Sequence, residues 1–102
     1  MKKILLVCAA GMSTSILVNR MKDAAKEKGI EADIFSMPIS DIGPVIDEVD
    51  IILLGPQVRY QKQNVENLVN GRVPVETIDM QAYGTMDGKA VLNRALELIN
   101  KS

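Results

Sequence analysis

The chain has no histidine and no tryptophan, one phenylalanine, two tyrosines and one cysteine in 102 residues. Without imidazole there is neither a Cys/His zinc site nor a histidine general base, and a single thiol cannot close an internal disulfide. Twelve Lys and Arg against thirteen Asp and Glu leave a net charge of -1 and no basic cluster. Nucleic acid, which calls for phosphate-neutralising patches and stacking platforms, is therefore not an expected partner. Long apolar runs are also missing: the stretch from Ile4 to Ala10 is shorter than an export core needs, and nothing approaches the roughly 20 residues of a membrane span. The expectation is a cytoplasmic protein with no direct insertion into a membrane, no metal and no cofactor.

What is present suits one folded unit. An apolar content of 47% and a charged content of 25% are ordinary for a globular domain, and the length allows one core and one domain, residues 1–102. Ile4 to Val7 is a continuously apolar run ending in small residues, as for a central parallel strand covered on both faces. From Ser13 the period changes, with Leu17, Met21, Ala24 and Ala25 on one face, so a helix is predicted to about Lys28, stopped by Gly29.

Glu31 to Met37 reads as a strand nearer a sheet edge, with Ala32, Ile34 and Phe35 as inward candidates. Ser40 and Asp41 can cap a short second helix, and Ile51-Ile52-Leu53-Leu54 is a second buried strand closed by Gly55-Pro56. Val65, Leu68 and Val69 mark a helix ending at Asn70-Gly71. Val73 to Ile78 forms a fourth strand, and after a loop from Tyr83 to Gly88 a last helix carries Val91, Leu92, Ala95, Leu98 and Ile99 inward. The alternation predicts an α/β fold: a four-stranded parallel sheet with helices on both faces, in three layers. Ligands in such sheets bind beyond the carboxyl ends of the strands. Three loops should meet there: Cys8 to Ser13, Gly55 to Tyr60, and Asp79 to Gly88.

The first of these loops carries the chemistry. Cys8-Ala9-Ala10-Gly11-Met12-Ser13-Thr14-Ser15 puts a thiol at a strand end, then small residues, then hydroxyls at a helix start. Gly11 permits unusual backbone angles, Ala9 and Ala10 leave amide N–H groups accessible, and a helix N-terminus adds unpaired donors and positive dipole charge. Together they form a nest for a dianion. Ser13, Thr14 and Ser15 can cap the helix or donate to phosphate oxygens. The same field lowers the thiol pKa and favours a nucleophilic thiolate, which needs no general base. The plain alternative is that Cys8 is a small buried apolar residue. Met12 reads as a packing residue with no chemistry of its own. Gln57 and Tyr60 are the contacts available from the second loop, while Tyr83 and Asp87 can equally be site residues or turn formers.

Other uses of such a loop fit less well. A low-molecular-weight tyrosine phosphatase places Arg directly after a five-residue spacer that follows its cysteine, and Thr14 stands at that position here. No Lys or Arg lies between Ile4 and Asn19, so the guanidinium that stabilises hydrolysis is missing. A carrier must not lose its phosphate to water. A dithiol redox protein would have a second cysteine at Gly11. Gly84 to Ala90 has the wrong glycine spacing, and no Ser or Thr in place, for a nucleotide-binding loop.

The segment Cys8 to Ser15 closely resembles the active-site loop of the lactose/cellobiose-type IIB components of the bacterial phosphoenolpyruvate-dependent sugar phosphotransferase system, in their cellobiose and diacetylchitobiose branch. Gly55-Pro56-Gln57-Val58, Val75 to Asp79, Tyr83-Gly84 and Asp87-Gly88 resemble later segments of that family in the same order. The resemblance implies a fold related to the small tyrosine phosphatases. It implies that Cys8 accepts phosphate from a phosphohistidine on a IIA protein and gives it to a sugar, cellobiose or a related β-linked disaccharide, bound in a membrane-embedded IIC partner. Cys8 is then the catalytic residue, Ala9, Ala10, Gly11, Met12, Ser13, Thr14 and Ser15 the phosphate cradle, and Gln57, Tyr60, Tyr83 and Asp87 candidates for the rim. The competing readings are a cysteine-dependent phosphatase or arsenate-reductase-like thiol enzyme, and a non-catalytic regulatory module.

Overall fold

The computed structural model describes residues 2–8 and 15–101, the side chains at 8 and 101 excepted. The sheet has four parallel strands: β1 (Lys2–Cys8), β2 (Ala32–Pro38), β3 (Ile51–Leu54) and β4 (Val75–Thr77), in the order β2-β1-β3-β4. Among the described residues four α-helices accompany them: α1 (Ser15–Glu27), α2 (Lys62–Val69), the single-turn α3 (Met80–Gly84) and α4 (Gly88–Lys101). The four-stranded parallel sheet is as expected, with β2 on an edge.

Strand alternation explains why β1 and β3 read as unbroken apolar runs. Ile4 and Leu6 of β1, with Ile51 and Leu53 of β3, pack under Leu17 and Met21 of α1 and Leu92 and Ala95 of α4. Leu5, Val7, Ile52 and Leu54 point to the other face, against Ile42, Ile46, Val58, Val65 and Val69. Both faces are dry from Ile4 to Val7 and from Ile51 to Leu54, so neither stretch carries a polar residue. Fully burying one such aliphatic side chain stabilises the fold by about 1.5–3 kcal/mol.

Several boundaries differ from the expectation. The segment after β2 is not a capped α-helix but two 3-10 turns, Ile39–Asp41 and Gly43–Glu48, and neither has a side-chain cap. Ser40 and Asp41 are exposed, and Pro44 in the first turn of the second segment leaves its N–H-less ring where no bond is required. β4 is only three residues long, because Pro74 serves the sheet through its carbonyl alone, accepting from Ile52 N–H at 3.0 Å. Of the three residues that mark α2, Val65 and Val69 are buried and Leu68 is 51% exposed. Part of the predicted loop from Asp79 to Gly88 is the helix α3, a turn too short to show periodicity.

Two glycines hold these elements in place. Gly29, at φ 68°, takes the left-handed angle that ends α1. Gly88 starts α4 hard against α1: a Cβ there would stand 2.5 Å from the backbone carbon of Arg20, so only hydrogen fits.

Candidate functional site

The chain leaves β1 for β2 on one side and returns to β3 on the other, so the order reverses between β1 and β3. Their carboxyl ends diverge into connections on opposite faces and open a crevice, the place where parallel sheets of this kind bind ligands. Cys8 is the last residue of β1, paired in register with Pro38, and Val7 is paired with Leu54. The thiol-bearing residue of the sequence is therefore at the strand end facing the switch point. Ala9, Ala10, Gly11, Met12, Ser13 and Thr14, the expected cradle, lie outside the described residues. Ser15 is the first residue of α1 and is exposed.

The loop after β3 is tied to the same point. Gly55 N–H donates to Val7 C=O at 2.9 Å, and Val58 N–H donates to Gly55 C=O at 3.0 Å. Gln57 is exposed but folds back: its Oε1 lies 2.8 Å from where a Cβ on Gly55 would be, and Cε2 of Tyr83 lies 3.7 Å from that point. Gln57 and Tyr83, from different loops, thus converge on the backbone that runs into Cys8.

Tyr83 is placed there by local chemistry. Asp79 caps α3, its Oδ2 accepting Ala82 N–H at 3.1 Å, and Ile78 N–H holds the preceding residue to Leu54 C=O at 2.7 Å. At the far end Met86 N–H bonds Tyr83 C=O at 3.1 Å and Asp87 N–H bonds Ala82 C=O at 2.8 Å, with Met86 left-handed at φ 52°. This is a Schellman closure. It turns the ring of Tyr83 inward, 8% exposed, among the side chains under α1 and α4. Tyr83, expected on an open rim, is a buried wall.

The other two candidates are elsewhere. Tyr60 is 74% exposed in the 3-10 segment Pro56–Gln61. Asp87 caps α4, its Oδ1 accepting Ala90 N–H at 3.1 Å, and it lines an open groove of about 610 Å³ with Arg20, Asp23, Glu27 and Lys89. Its role in the described structure is that of a helix cap. Two exposed apolar residues escaped the sequence reading: Ile16, 49% exposed at the start of α1, and Met80, 60% exposed at the start of α3. With Tyr60 they sit on the three segments that leave the carboxyl ends of β1, β3 and β4. Their signal, an apolar residue off the buried helix stripe, is visible only once the stripe is fixed.

Among the described residues no three His, Cys, Asp or Glu side chains gather closely enough to hold a metal ion, and no helix is long and apolar enough to cross a membrane.

A parallel α/β sheet with a cysteine ending β1 at the switch point defines a fold shared with the small tyrosine phosphatases. The crystal structure of a mutant of YwlE from Bacillus subtilis superposes with a TM-score of 0.52 at 13% identity, over 97% of this chain and 94% of that one. Within that fold the particular branch is clear. Residues 3–94 match the family described as PTS system, Lactose/Cellobiose specific IIB subunit, and the chain belongs to that family. An oligo-beta-mannoside-specific EIIB component of Bacillus subtilis is 41% identical, and a cellobiose-specific EIIB component of Lactococcus lactis 42% identical, each covering 97% of both chains. The solution structure of the cellobiose-specific phosphotransferase IIB component from Borrelia burgdorferi matches with a TM-score of 0.82 at 42% identity, over 98% of this chain and 93% of that one. IIB components of this system are sugar phosphotransferases that work with IIA and IIC partners, so phosphoryl transfer is the chemistry the fold must support.

Proposed function

We propose that this chain is a cytoplasmic phosphoryl carrier, one IIB domain acting as a whole, in which Cys8 is the residue that holds the phosphate. The observation that carries the reading is the position of Cys8, at the end of β1 on the switch point of a IIB sheet, in a chain with no histidine that could serve instead. The donor is a phosphohistidine on a IIA protein. The Cys8 thiolate attacks phosphorus, an S–P bond forms, and the P–N bond breaks with its electron pair returning to the ring nitrogen. A proton already on the other ring nitrogen makes the leaving imidazole neutral. Next a hydroxyl oxygen of the sugar, cellobiose or a related β-linked disaccharide in the IIC permease, attacks phosphorus. The S–P bond breaks, the thiolate is restored, and the hydroxyl proton goes to a base of the permease or to water.

Residues 9–14 and Ser15 supply backbone and hydroxyl donors to the phosphoryl oxygens, so charge is stabilised by positioned dipoles rather than by a cation. The lack of Lys or Arg between Ile4 and Asn19 fits a group that must be surrendered rather than hydrolysed. Ile16, Tyr60 and Met80 furnish the apolar rim on which IIA and IIC dock in turn, through contacts small enough to release.

The test supplies phosphoenolpyruvate, the general phosphotransferase proteins and a cognate IIA. One phosphoryl group should appear on the wild type by intact mass and none on Cys8→Ser. A wild type left unlabelled beside a phosphorylated IIA, or brisk hydrolysis of an aryl phosphate, contradicts the reading.

A further inference from the structure

We propose that Tyr83 is a phosphate-binding residue: its phenol donates a hydrogen bond to the phosphoryl group carried on Cys8. The inference rests on the reading of Cys8 as the phosphate acceptor. It starts from an unsatisfied atom. The hydroxyl oxygen of Tyr83 is buried and has no hydrogen-bond partner among the described residues, on a side chain 8% exposed. Buried hydroxyls in folded proteins nearly always have a partner, because leaving one unpaired forfeits its hydration without return. The apolar side chains around the ring would pack as well against phenylalanine.

The hydroxyl end of the ring also lies in the right place. Cε2, the atom next to the oxygen-bearing carbon, is 3.7 Å from the Cβ position of Gly55, and Gly55 N–H is bonded to Val7 C=O at 2.9 Å. The unpaired donor therefore stands beside the backbone leading into Cys8, at the switch point between β1 and β3. A phosphoryl dianion offers only acceptors, and a phenol beside it offers a proton to share without bringing positive charge. Among the described residues of the free protein the donor is unmatched; the phosphoryl group on Cys8 matches it. The hydroxyl thus biases the equilibrium toward the loaded carrier while keeping its own proton throughout, the only bonds made and broken being S–P and P–N.

Tyr83→Phe in the full chain tests this, because the ring is kept and only the donor is lost. The free variant should melt at the same temperature as the wild type or higher. Its equilibrium constant for accepting phosphate from IIA, read by intact mass at fixed ratios of the two proteins, should fall on the order of tenfold, as for a lost hydrogen bond to a charged group. In the wild type, the Cζ resonance of carbon-13-labelled Tyr83 should move on phosphorylation. An unchanged equilibrium constant, a free variant that melts lower with no change in that constant, or a Cζ resonance indifferent to phosphorylation overturns the proposal. A wild type that takes no phosphate overturns this and the carrier reading together, whereas a labelled wild type matched by the variant overturns this alone.

Discussion

Asp50 shows how a single side chain fixes the register of the central strands. Its Oδ2 accepts Lys3 N–H at 2.7 Å while its own N–H donates to Lys3 C=O at 2.8 Å, closing the pair at the start of β3. Removing the carboxylate leaves a partly buried backbone donor unpaired. Asp50→Ala should lower the unfolding free energy by about 1.5–3 kcal/mol, the range for hydrogen bonds to charged groups, measured by urea denaturation. No change would mean that water replaces the carboxylate fully. Arg94, by contrast, is exposed; the Glu76 hydrogen bond raises its pKa further above an already high value, so it stays charged and adds nothing that titrates. At the same scale, Tyr83 differs from every hydrogen-bonding residue named above in having a buried oxygen with no partner among the described residues.

Short elements were the hardest to read. The long periodic helices α1 and α4 follow their apolar stripes, and Asn70 and Gly71 end α2 at left-handed angles, φ 51° and 77°, which asparagine tolerates and the missing Cβ of glycine permits. α3 was missed because five residues cannot display a 3.6-residue period; the signal present was Asp79, a cap without a visible helix behind it. The 3-10 turns after β2 were missed because Gly43-Pro44 lowers helix propensity without saying which tighter winding results. The candidate site suffered the same way. The place of Cys8 at a strand end was legible from the apolar run and the small residues after it, but the inward turn of Tyr83 depends on the α3 closure and on Gly55, which no local pattern announces. Asp87 belongs to this scale too, since its carboxylate caps α4. Asp87→Ala should cost about 1 kcal/mol in thermal or denaturant unfolding and leave phosphorylation by IIA unchanged. A folded variant that no longer accepts phosphate would move Asp87 into the site.

At the scale of the molecule, strand order is what sets the end of β1, and with it Cys8, at the switch point of the sheet. The reversal between β1 and β3 brings the end of β1, the Gly55 loop and the α3 turn to a single edge, with apolar residues exposed on all three departing segments. A phosphatase built on the same sheet keeps a guanidinium in its loop and delivers phosphate to water. This chain has none between Ile4 and Asn19 and belongs to a family of sugar phosphotransferase components. Transfer against hydrolysis is therefore the decisive contrast. The direct measurement follows a labelled phosphoryl group from the purified phosphorylated chain, incubated with vesicles containing its permease and a β-linked disaccharide. The account predicts label on the sugar, none from Cys8→Ser, and slow release to water when the vesicles are omitted. Label appearing as inorganic phosphate at the same rate with and without permease and sugar would contradict it.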